Sequence, residues 1–163
     1  MQEIKLSNGM VTLVDDRDYG YLNQWKWHAA TNERGKIFYA IRTARKSDNR
    51  KVSRIRMHRE ILSPPDSVQI DHRDLNGLNN QRHNLRMCTN QQNLMNRGSV
   101  PNTTSKYKGV TWYKPTGKWK AQLKLDSRNY HLGYFHSETD AAMAYDKKAV
   151  EVFGNFAHLN FNQ

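Results

Sequence analysis

Residues 118–125 alternate strictly between polar and apolar side chains. One parity carries Lys118, Lys120, Gln122 and Lys124, and the other carries Trp119, Ala121, Leu123 and Leu125. Strict period-two alternation predicts a β-strand that is buried on one face and cationic on the other.

Two further strands and a helix are predicted around this strand. Residues 107–113 and 129–135 flank it as strand candidates, and residues 114–117 and 126–128 supply the turns. Ser137 then marks a helix start, because acidic side chains follow it in the first turn. Apolar residues continue at helical spacing until Gly154, which ends the helix. We therefore expect three antiparallel strands backed by one helix, with the lysines facing away from that helix.

Positive charge is concentrated in two stretches of the chain. The 163 residues carry a net charge of +11: residues 34–60 carry +8, residues 105–135 carry +6, and the rest of the chain carries −3. A charge of this size favours a polyanionic partner, most often nucleic acid, with solubility as the alternative. Two separate basic stretches indicate two separate contacts with a long polyanion.

Several classes of protein are excluded by composition. No run of about 18 apolar residues is present, so we expect no membrane span and no membrane partner. The first residues lead into no apolar segment of the kind that a signal peptide needs. The single cysteine, Cys88, can form neither an internal disulfide nor a multi-cysteine zinc site. We therefore expect a reducing, intracellular location.

The chain divides at a polar, Pro- and Gly-containing stretch, residues 97–104, which is typical of a linker. This predicts a domain over residues 1–96 and a second over residues 105–163. In the first, residues 10–14 are a strand candidate, and Trp25 and Trp27 are expected in a small core. Residues 36–42 and 52–58 are expected to pair as a hairpin with residues 47–50 at its tip. Arg54 and Arg56 share one face of the second strand, and they either belong to a solvated face or contact phosphates.

Residues 68–97 contain the side chains best suited to chemistry. A short strand ends in Asp71-His72, an Asn-rich loop turns at Asn76-Gly77, and a second strand is predicted over residues 83–86. Thr89 and Gln92 have the spacing of a capping box, which predicts a helix over residues 90–96. Asn93 falls one turn inside that helix.

These side chains match the needs of phosphodiester cleavage. Such a reaction requires a base that works near neutral pH, for which histidine is suited, and a divalent cation held by oxygen ligands. Asp71 and Asn93 offer the oxygens, and His72 faces the opposite side of the strand. Asn84 could hold the His72 ring through its side chain or its backbone carbonyl. The alternative is that the Asn-rich loop is turn chemistry alone.

Three other residues near this segment have structural interpretations. We expect His58 to pack or hydrogen-bond beneath the site, with a catalytic role as the alternative. His83 could touch a phosphate, but a solvated loop residue is the favoured interpretation. Cys88 is expected to be a small buried side chain and not a nucleophile.

The first domain resembles the HNH homing endonucleases of phage and intron type, whose active site is the ββα-metal motif. The resemblance rests on Met57-His-Arg-Glu-Ile-Leu62, Pro65, Ile70-Asp-His72, Asn79-Asn80, His83-Asn-Leu-Arg86 and Thr89-x-x-Gln-Asn93. It implies a motif over about residues 68–97 in which His72 is the general base and Asn84 orients it. It also implies Asp71 and Asn93 as ligands of Mg²⁺ or Mn²⁺, with no zinc expected because the donors are oxygens.

The second domain resembles the AP2 DNA-binding domain. The matching residues are Tyr107-Lys-Gly-Val110, Gly117-Lys-Trp-x-Ala121, Leu132-Gly-Tyr-Phe135, Ala141-Ala142, Ala144-Tyr-Asp146, Ala149 and Leu159-Asn-Phe161. That family docks its three-stranded sheet in the major groove, which implies Lys108, Gln122, Lys124 and His131 on the reading face and Lys118 and Lys120 near phosphates. Trp119, Tyr130, Leu132 and Phe135 are expected in the core. Lysine lacks the guanidinium fork, so the plant sequence preference is not expected here.

Together these observations predict an α+β chain: a β-rich first domain with a ββα-metal motif, then a three-stranded antiparallel sheet on one helix. The predicted function is a sequence-directed, metal-dependent endonuclease that nicks double-stranded DNA. We expect a monomer, with a dimer as the alternative. The resemblance to phage-type endonucleases implies the cytoplasm of a bacterial or phage-infected host cell. The residues expected to contact DNA are Arg54, Arg56, Arg86, Lys108, Lys118, Lys120, Gln122, Lys124, Arg128 and His131.

A DNA-binding regulator with an inactive nuclease motif is the alternative function. An RNA-binding role is disfavoured because the exposed strand face is lysine-rich and not aromatic.

Overall fold

The computed structural model describes residues 1–31, 37–45, 52–98, 103–126 and 128–161. Small antiparallel sheets and a few helices make up a mixed α+β architecture. The chain packs as two units, Met1–Asn93 and Leu94–Gln163. The predicted linker, residues 97–104, lies partly outside the described residues.

The first unit is built from three small sheets and short helices. Its elements are β1 (Gln2–Lys5), β2 (Val11–Val14), α1 (Asp16–Leu22), β3 (His28–Thr31), β4 (Phe38–Arg45), β5 (Val52–Arg56), α2 (Met57–Leu62), β6 (Gln69–His72), β7 (Leu85–Cys88) and α3 (Asn90–Met95), which continues into the second unit. Strands β1 and β2 pair with each other, β3, β4 and β5 form a three-stranded sheet, and β6 pairs with β7, all antiparallel.

The core of the first unit collects apolar side chains from all three sheets. Trp27 is 1% exposed, and its indole N–H donates to the Leu22 carbonyl at 2.8 Å, which satisfies the one polar atom of the ring. Trp25, also predicted to be in the core, is 40% exposed. Its ring instead lies 4.2 Å from the guanidinium carbon of Arg42, a cation–π contact at the surface.

The predicted hairpin forms, but its second strand is shorter than expected. The pairing of β4 and β5 ends at Arg56, and Met57 and His58 begin helix α2. Both side chains are buried there, so burial against the core and not strand alternation decides their conformation. The predicted tip, residues 47–50, lies outside the described residues.

The second unit contains the sheet and helix that alternation and capping predict. Strands β8 (Val110–Tyr113), β9 (Lys118–Leu125) and β10 (Arg128–Phe135) form an antiparallel sheet with β9 in the centre. Helix α4 (Glu138–Phe153) packs on this sheet. The side chain of Ser137 accepts a hydrogen bond from the Asp140 N–H at 3.3 Å, and Gly154 ends the helix with a φ of +49°.

The core of this unit lies between the sheet and helix α4. Ala121 and Leu123 of β9 pack with small and aromatic residues of the helix, and Trp119, Leu132 and Phe135 are partly buried around them. Tyr130 is 42% exposed, which corrects its predicted place in the core. It lies on β10, an edge strand, and therefore has a neighbouring strand on one side only.

No helix formed by the described residues has both the length and the apolar character that a membrane crossing requires.

Candidate active site and nucleic-acid interface

The β6–β7 hairpin separates the predicted site residues onto two faces. Residues directly opposite in an antiparallel pair share a face, and successive residues alternate. Asp71 lies opposite Arg86, whereas His72 lies opposite Leu85. Asp71 and His72 therefore point away from each other, as expected. The second strand begins at Leu85 and not at His83, because the N–H groups of Asn84 and Leu85 both donate to the Gln81 carbonyl in the preceding turn.

A capping box fixes helix α3. The Thr89 N–H donates to Gln92 Oε1 at 2.9 Å, and the Gln92 N–H donates to Thr89 Oγ1 at 3.2 Å. Asn93, one position further on, donates through Nδ2 to Gln69 Oε1 at 2.7 Å. Gln69 and Asp71 share a face of β6, so Asn93 lies over the face that carries Asp71.

Asp71 forms a buried ion pair with Arg86. Their side chains are 4% and 8% exposed, and Arg86 donates from Nε at 2.8 Å and from Nη2 at 2.6 Å, both to Asp71 Oδ2. This corrects the prediction that Arg86 contacts DNA. An unpaired charge at this depth would be costly, so the guanidinium is held by the carboxylate beside it.

His72 is buried among other rings. It is 5% exposed, its ring centroid lies 5.1 Å from that of His58, and Tyr39 packs against both histidines. Burial lowers the pKa of His72, and the hydrogen bond between His72 Nε2 and the accepting Asn80 Oδ1 opposes this to a smaller extent. Burial lowers the pKa of His58 to about 3, and repulsion from His72 when that ring is protonated and from Arg56 and Arg59 acts in the same direction. Both rings are therefore neutral near pH 7, the form in which an imidazole can accept a proton.

Asn84 does not contact the His72 ring in the way that was expected. Its amide nitrogen donates to Asp74 Oδ1 at 2.9 Å and to the Asn79 carbonyl at 2.8 Å, and its side-chain oxygen accepts from the Asp74 N–H at 3.1 Å. Its backbone carbonyl accepts from the Arg73 N–H at 2.9 Å. Asn84 therefore shapes the loop between β6 and β7 and does not touch the imidazole.

Asn80 instead hydrogen-bonds the imidazole, since its Oδ1 lies 3.4 Å from His72 Nε2. Asn80 is fully buried. It stands in the Asn79-Asn80 pair of the motif, but the spacing within an Asn-rich loop does not distinguish which amide turns inward.

The N-terminal hairpin and helix α1 hold the same loop. Asn80 Nδ2 donates to Thr12 Oγ1 at 2.8 Å, and the Arg82 N–H donates to Asp15 Oδ2 at 2.8 Å. The Arg82 guanidinium also pairs with Asp18, with Nε to Oδ2 at 2.7 Å. Sequence reasoning missed these residues because they lie more than 60 positions from their partners in the chain.

Oxygen atoms are the available donors for a cation on the Asp71 face. Asn93 turns its Nδ2 to Gln69, so its side-chain oxygen points away from Gln69. Asp71 supplies a carboxylate that a cation would share with Arg86. Carboxylate and amide oxygens fit Mg²⁺ or Mn²⁺. In the part of the chain that the structure describes, no group of three or more His, Cys, Asp or Glu side chains forms a metal cluster.

The outer face of the second sheet, the side of β8–β10 opposite α4, combines lysines with aromatic rings. The register places Lys118 opposite Tyr113, Lys120 opposite Thr111 and Tyr134, Gln122 opposite His131, and Lys124 opposite Asn129. The rings of Tyr113 and Tyr134 lie 5.1 Å apart, and those of Tyr134 and His131 lie 4.5 Å apart. The face is therefore not purely lysine-rich, which corrects the argument made against RNA.

Two predicted DNA contacts of this unit lie elsewhere. Lys108 donates through Nζ to the Met95 carbonyl and lies 5.9 Å from the Tyr145 ring of α4, on the helix side of the sheet. Burial lowers its pKa to about 8. Arg128 is exposed, but it lies opposite Leu125 and so shares the parity of the helix-facing side chains.

Arg54 and Arg56 are exposed and alternate with the half-buried Ile55. They line a cleft of about 340 Å³ on the β3–β4–β5 sheet, together with Arg59 and Tyr39. Tyr39 also packs against the His72 ring. A basic cleft and the buried histidine are thus joined by one shared side chain within the first unit.

One relative that matches most of the chain is named as a nuclease. The chain is 29% identical over 158 residues to an uncharacterized HNH endonuclease of Acanthamoeba polyphaga mimivirus. This match covers 93% of the chain and 75% of the viral protein.

Shorter matches connect the chain with plant transcription factors. It is 39% identical over 59 residues to APETALA2-like protein 2 of Oryza sativa subsp. indica, and 33% identical over 89 residues to the dehydration-responsive element-binding protein 2D of Arabidopsis thaliana. These matches cover 36% and 52% of the chain, and 14% and 41% of the plant proteins. No protein-family model and no solved structure matches the chain.

Proposed function

We propose that this protein is a divalent-metal-dependent DNA endonuclease of homing type, which nicks duplex DNA at sites that the second unit helps to select. The observation that carries the proposal is the β6 strand, which presents a carboxylate, Asp71, on one face and a buried neutral imidazole, His72, on the other. Asn93 lies over the carboxylate face. The similarity to a viral HNH endonuclease over most of the chain supports the same class.

In the proposed reaction, His72 accepts a proton from the water that attacks the scissile phosphorus. Burial lowers its pKa, so the ring is in the accepting form at neutral pH. Asp71 and Asn93 would hold the cation, and Arg86 orients the Asp71 carboxylate. When bound, Mg²⁺ or Mn²⁺ would neutralise charge on the phosphate and on the leaving 3′ oxygen, so that the products are 5′-phosphate and 3′-hydroxyl ends.

The two units would divide the work of binding. The outer face of the second sheet presents Lys118, Lys120 and Lys124 for contact with DNA, beside Gln122 and His131, which can donate to or accept from base edges. Arg54 and Arg56 line the cleft of the first unit and would hold phosphates near the cutting site. The similarity to plant AP2-type factors supports DNA as the partner.

A second function, a DNA-binding regulator that does not cut, is favoured by one observation. The Asp71 carboxylate is already paired with Arg86, and in a regulator this pair would serve stability alone. The two functions differ in whether Mg²⁺ allows cleavage.

The deciding experiment is a supercoiled-plasmid nicking assay with and without Mg²⁺, on the wild type and on two histidine variants. His72→Ala is expected to lower the cleavage rate by about 100-fold or more and to leave DNA affinity within a few-fold. His83→Ala is the matched control, because His83 is an exposed loop residue. Undiminished cutting by His72→Ala would remove His72 as the base. Metal-independent DNA binding without any cleavage would support the regulator.

A further inference from the structure

Thr12, on strand β2, is fully buried, and its hydroxyl hydrogen-bonds two groups of the loop between β6 and β7. Its hydroxyl lies 2.7 Å from the Leu78 carbonyl oxygen and 2.8 Å from Asn80 Nδ2. A hydroxyl has one hydrogen, and the carbonyl can only accept. Thr12 therefore donates to Leu78 and accepts from the Asn80 amide. The more distant Met57 sulfur, at 3.9 Å, is a weaker acceptor for the same hydrogen.

The Asn80 amide has one favourable orientation in this setting. Its nitrogen faces Thr12 Oγ1 and, at 3.5 Å, the Gly77 carbonyl. The reversed amide would place its oxygen against that carbonyl, two acceptors with no hydrogen between them. Oδ1 must then point to the other side, where His72 Nε2 lies at 3.4 Å.

We propose that Thr12 and Asn80 are positioning residues that hold His72 as the tautomer protonated on Nε2. An amide oxygen can only accept, so Nε2 must carry the hydrogen, and the lone pair of the neutral ring lies on Nδ1. Nδ1 is then the atom that accepts the proton from water. The consequence for cutting rests on the proposed function, whereas the tautomer itself does not.

The hydrogen bonds that link Thr12, Asn80 and His72 also explain what the N-terminal hairpin (β1 and β2) contributes to the site. The Leu13 N–H donates to the Leu78 carbonyl at 2.9 Å, and the Asn80 N–H donates to the Leu13 carbonyl at 2.8 Å. Strand β2 thus fixes the backbone of the loop, and Thr12 beside it fixes the Asn80 side chain. A residue near the start of the sequence sets which ring nitrogen of His72 is the base.

The direct test is a two-dimensional ¹H–¹⁵N spectrum of the histidine rings in the wild-type protein, recorded at about pH 8, above the ordinary histidine pKa. The His72 signals are assigned by comparison with His72→Gln. A protonated Nε2 and an unprotonated Nδ1 are expected for His72. A protonated Nδ1 in the folded protein would overturn the proposal, whether or not the protein cuts DNA.

A kinetic test compares Thr12→Val, which removes the hydroxyl at nearly constant volume, with Thr12→Ser, which keeps it. Thr12→Val is expected to lower kcat for nicking by roughly 10- to 100-fold with little change in KM, as for other residues that orient a catalytic imidazole. Thr12→Ser is expected to recover most of that loss. A folded Thr12→Val protein with wild-type kcat and tautomer would contradict the assignment of Thr12.

The two tests separate failure of this inference from failure of the proposed function. If the wild type does not cut, the nuclease assignment fails, and the ring spectrum still decides the tautomer. If Thr12→Val does not fold, the wild-type spectrum remains decisive. Cutting combined with a protonated Nδ1 would keep the nuclease and overturn the positioning chain.

Discussion

At the scale of single residues, burial changes the chemistry of side chains that the sequence presents as ordinary. His58 packs against His72, and its Nδ1 has no hydrogen-bond partner among the residues that the structure describes, although a buried polar atom usually has one. The cost is tolerable only while the ring is neutral, because a buried charge is far more expensive. Burial also disfavours the charged form of Cys88, the thiolate, and therefore raises the pKa of its thiol.

The first prediction concerns the pH dependence of stability. The pKa of His58 is about 3 in the folded protein and about 6.5 when unfolded, so the unfolded chain binds the extra proton between these values. Stability should therefore fall as pH drops below about 6.5, by up to about 1.4 kcal/mol per pH unit from this residue. Thermal melts between pH 7 and pH 5 measure the effect.

The variant His58→Gln is expected to show a weaker pH dependence over the same interval. Part of the slope should remain, because burial also lowers the pKa of His72. If both proteins lose stability equally on acidification, His58 is not the buried neutral group described here.

The second prediction concerns Cys88, which is 5% exposed and whose pKa burial raises to about 11. At pH 8 about one thiol in a thousand would be thiolate, the reactive form. We expect a disulfide reagent to label the native protein very slowly and the urea-unfolded protein within minutes. Rapid labelling of the native protein would mean that β7 opens readily or that the thiol is exposed.

At the scale of elements, two glycines of the second unit have a positive φ but different surroundings. Gly109 precedes β8 with a φ of +77°, and a Cβ there would meet the Tyr145 ring of α4 and, at 2.7 Å, the Gln122 carbonyl oxygen. Gly117 also has a positive φ, +60°, but no atom of the described residues lies within 4 Å of its Cβ position. The two positions thus share the backbone strain, but only at Gly109 is there no room for a Cβ atom.

The third prediction uses this difference. Gly117→Ala should cost about 1 to 2 kcal/mol from the left-handed backbone alone. Gly109→Ala should cost about 2 to 5 kcal/mol, because overpacking against α4 is added to the same strain. Urea unfolding of both variants measures the two costs. Equal losses would show that the sheet and helix move apart without penalty at Gly109.

At the scale of the whole molecule, the net charge of +11 is distributed over two basic stretches with a nearly neutral segment between them. Two cations leave the predicted DNA-binding set: Arg86 of the nearly neutral segment pairs with Asp71, and Lys108 of the second basic stretch lies toward α4. Lys118, Lys120 and Lys124 remain on the outer face of the second sheet.

The fourth prediction is a steep salt dependence of DNA binding. If both units engage phosphates, about six to ten contacts are expected, and log K should fall linearly with log salt with a slope close to that number. Replacing Lys118 and Lys124 by Gln should reduce the slope by about one for each. Lys147→Gln, an exposed lysine of α4, is the control and should leave it unchanged. A nearly flat salt dependence would count against binding through both units.

Local sequence determined the elements whose signals are local. Period-two alternation placed β9 at Lys118–Leu125, Ser137 and Gly154 bounded α4, and the Thr89–Gln92 capping box began α3. In each case the interacting groups lie within a few residues of one another, so their geometry follows from the regular repeat of strand or helix.

Tertiary packing alone decided which polar groups meet. Asn80 and not Asn84 faces His72, Thr12 turns the Asn80 amide, Arg86 is held by Asp71, and Lys108 points toward α4. Many side chains could satisfy each of these buried groups, and no periodicity distinguishes them. The choice depends on which distant segments pack together, because a buried donor or acceptor takes whichever partner the fold brings within hydrogen-bonding distance.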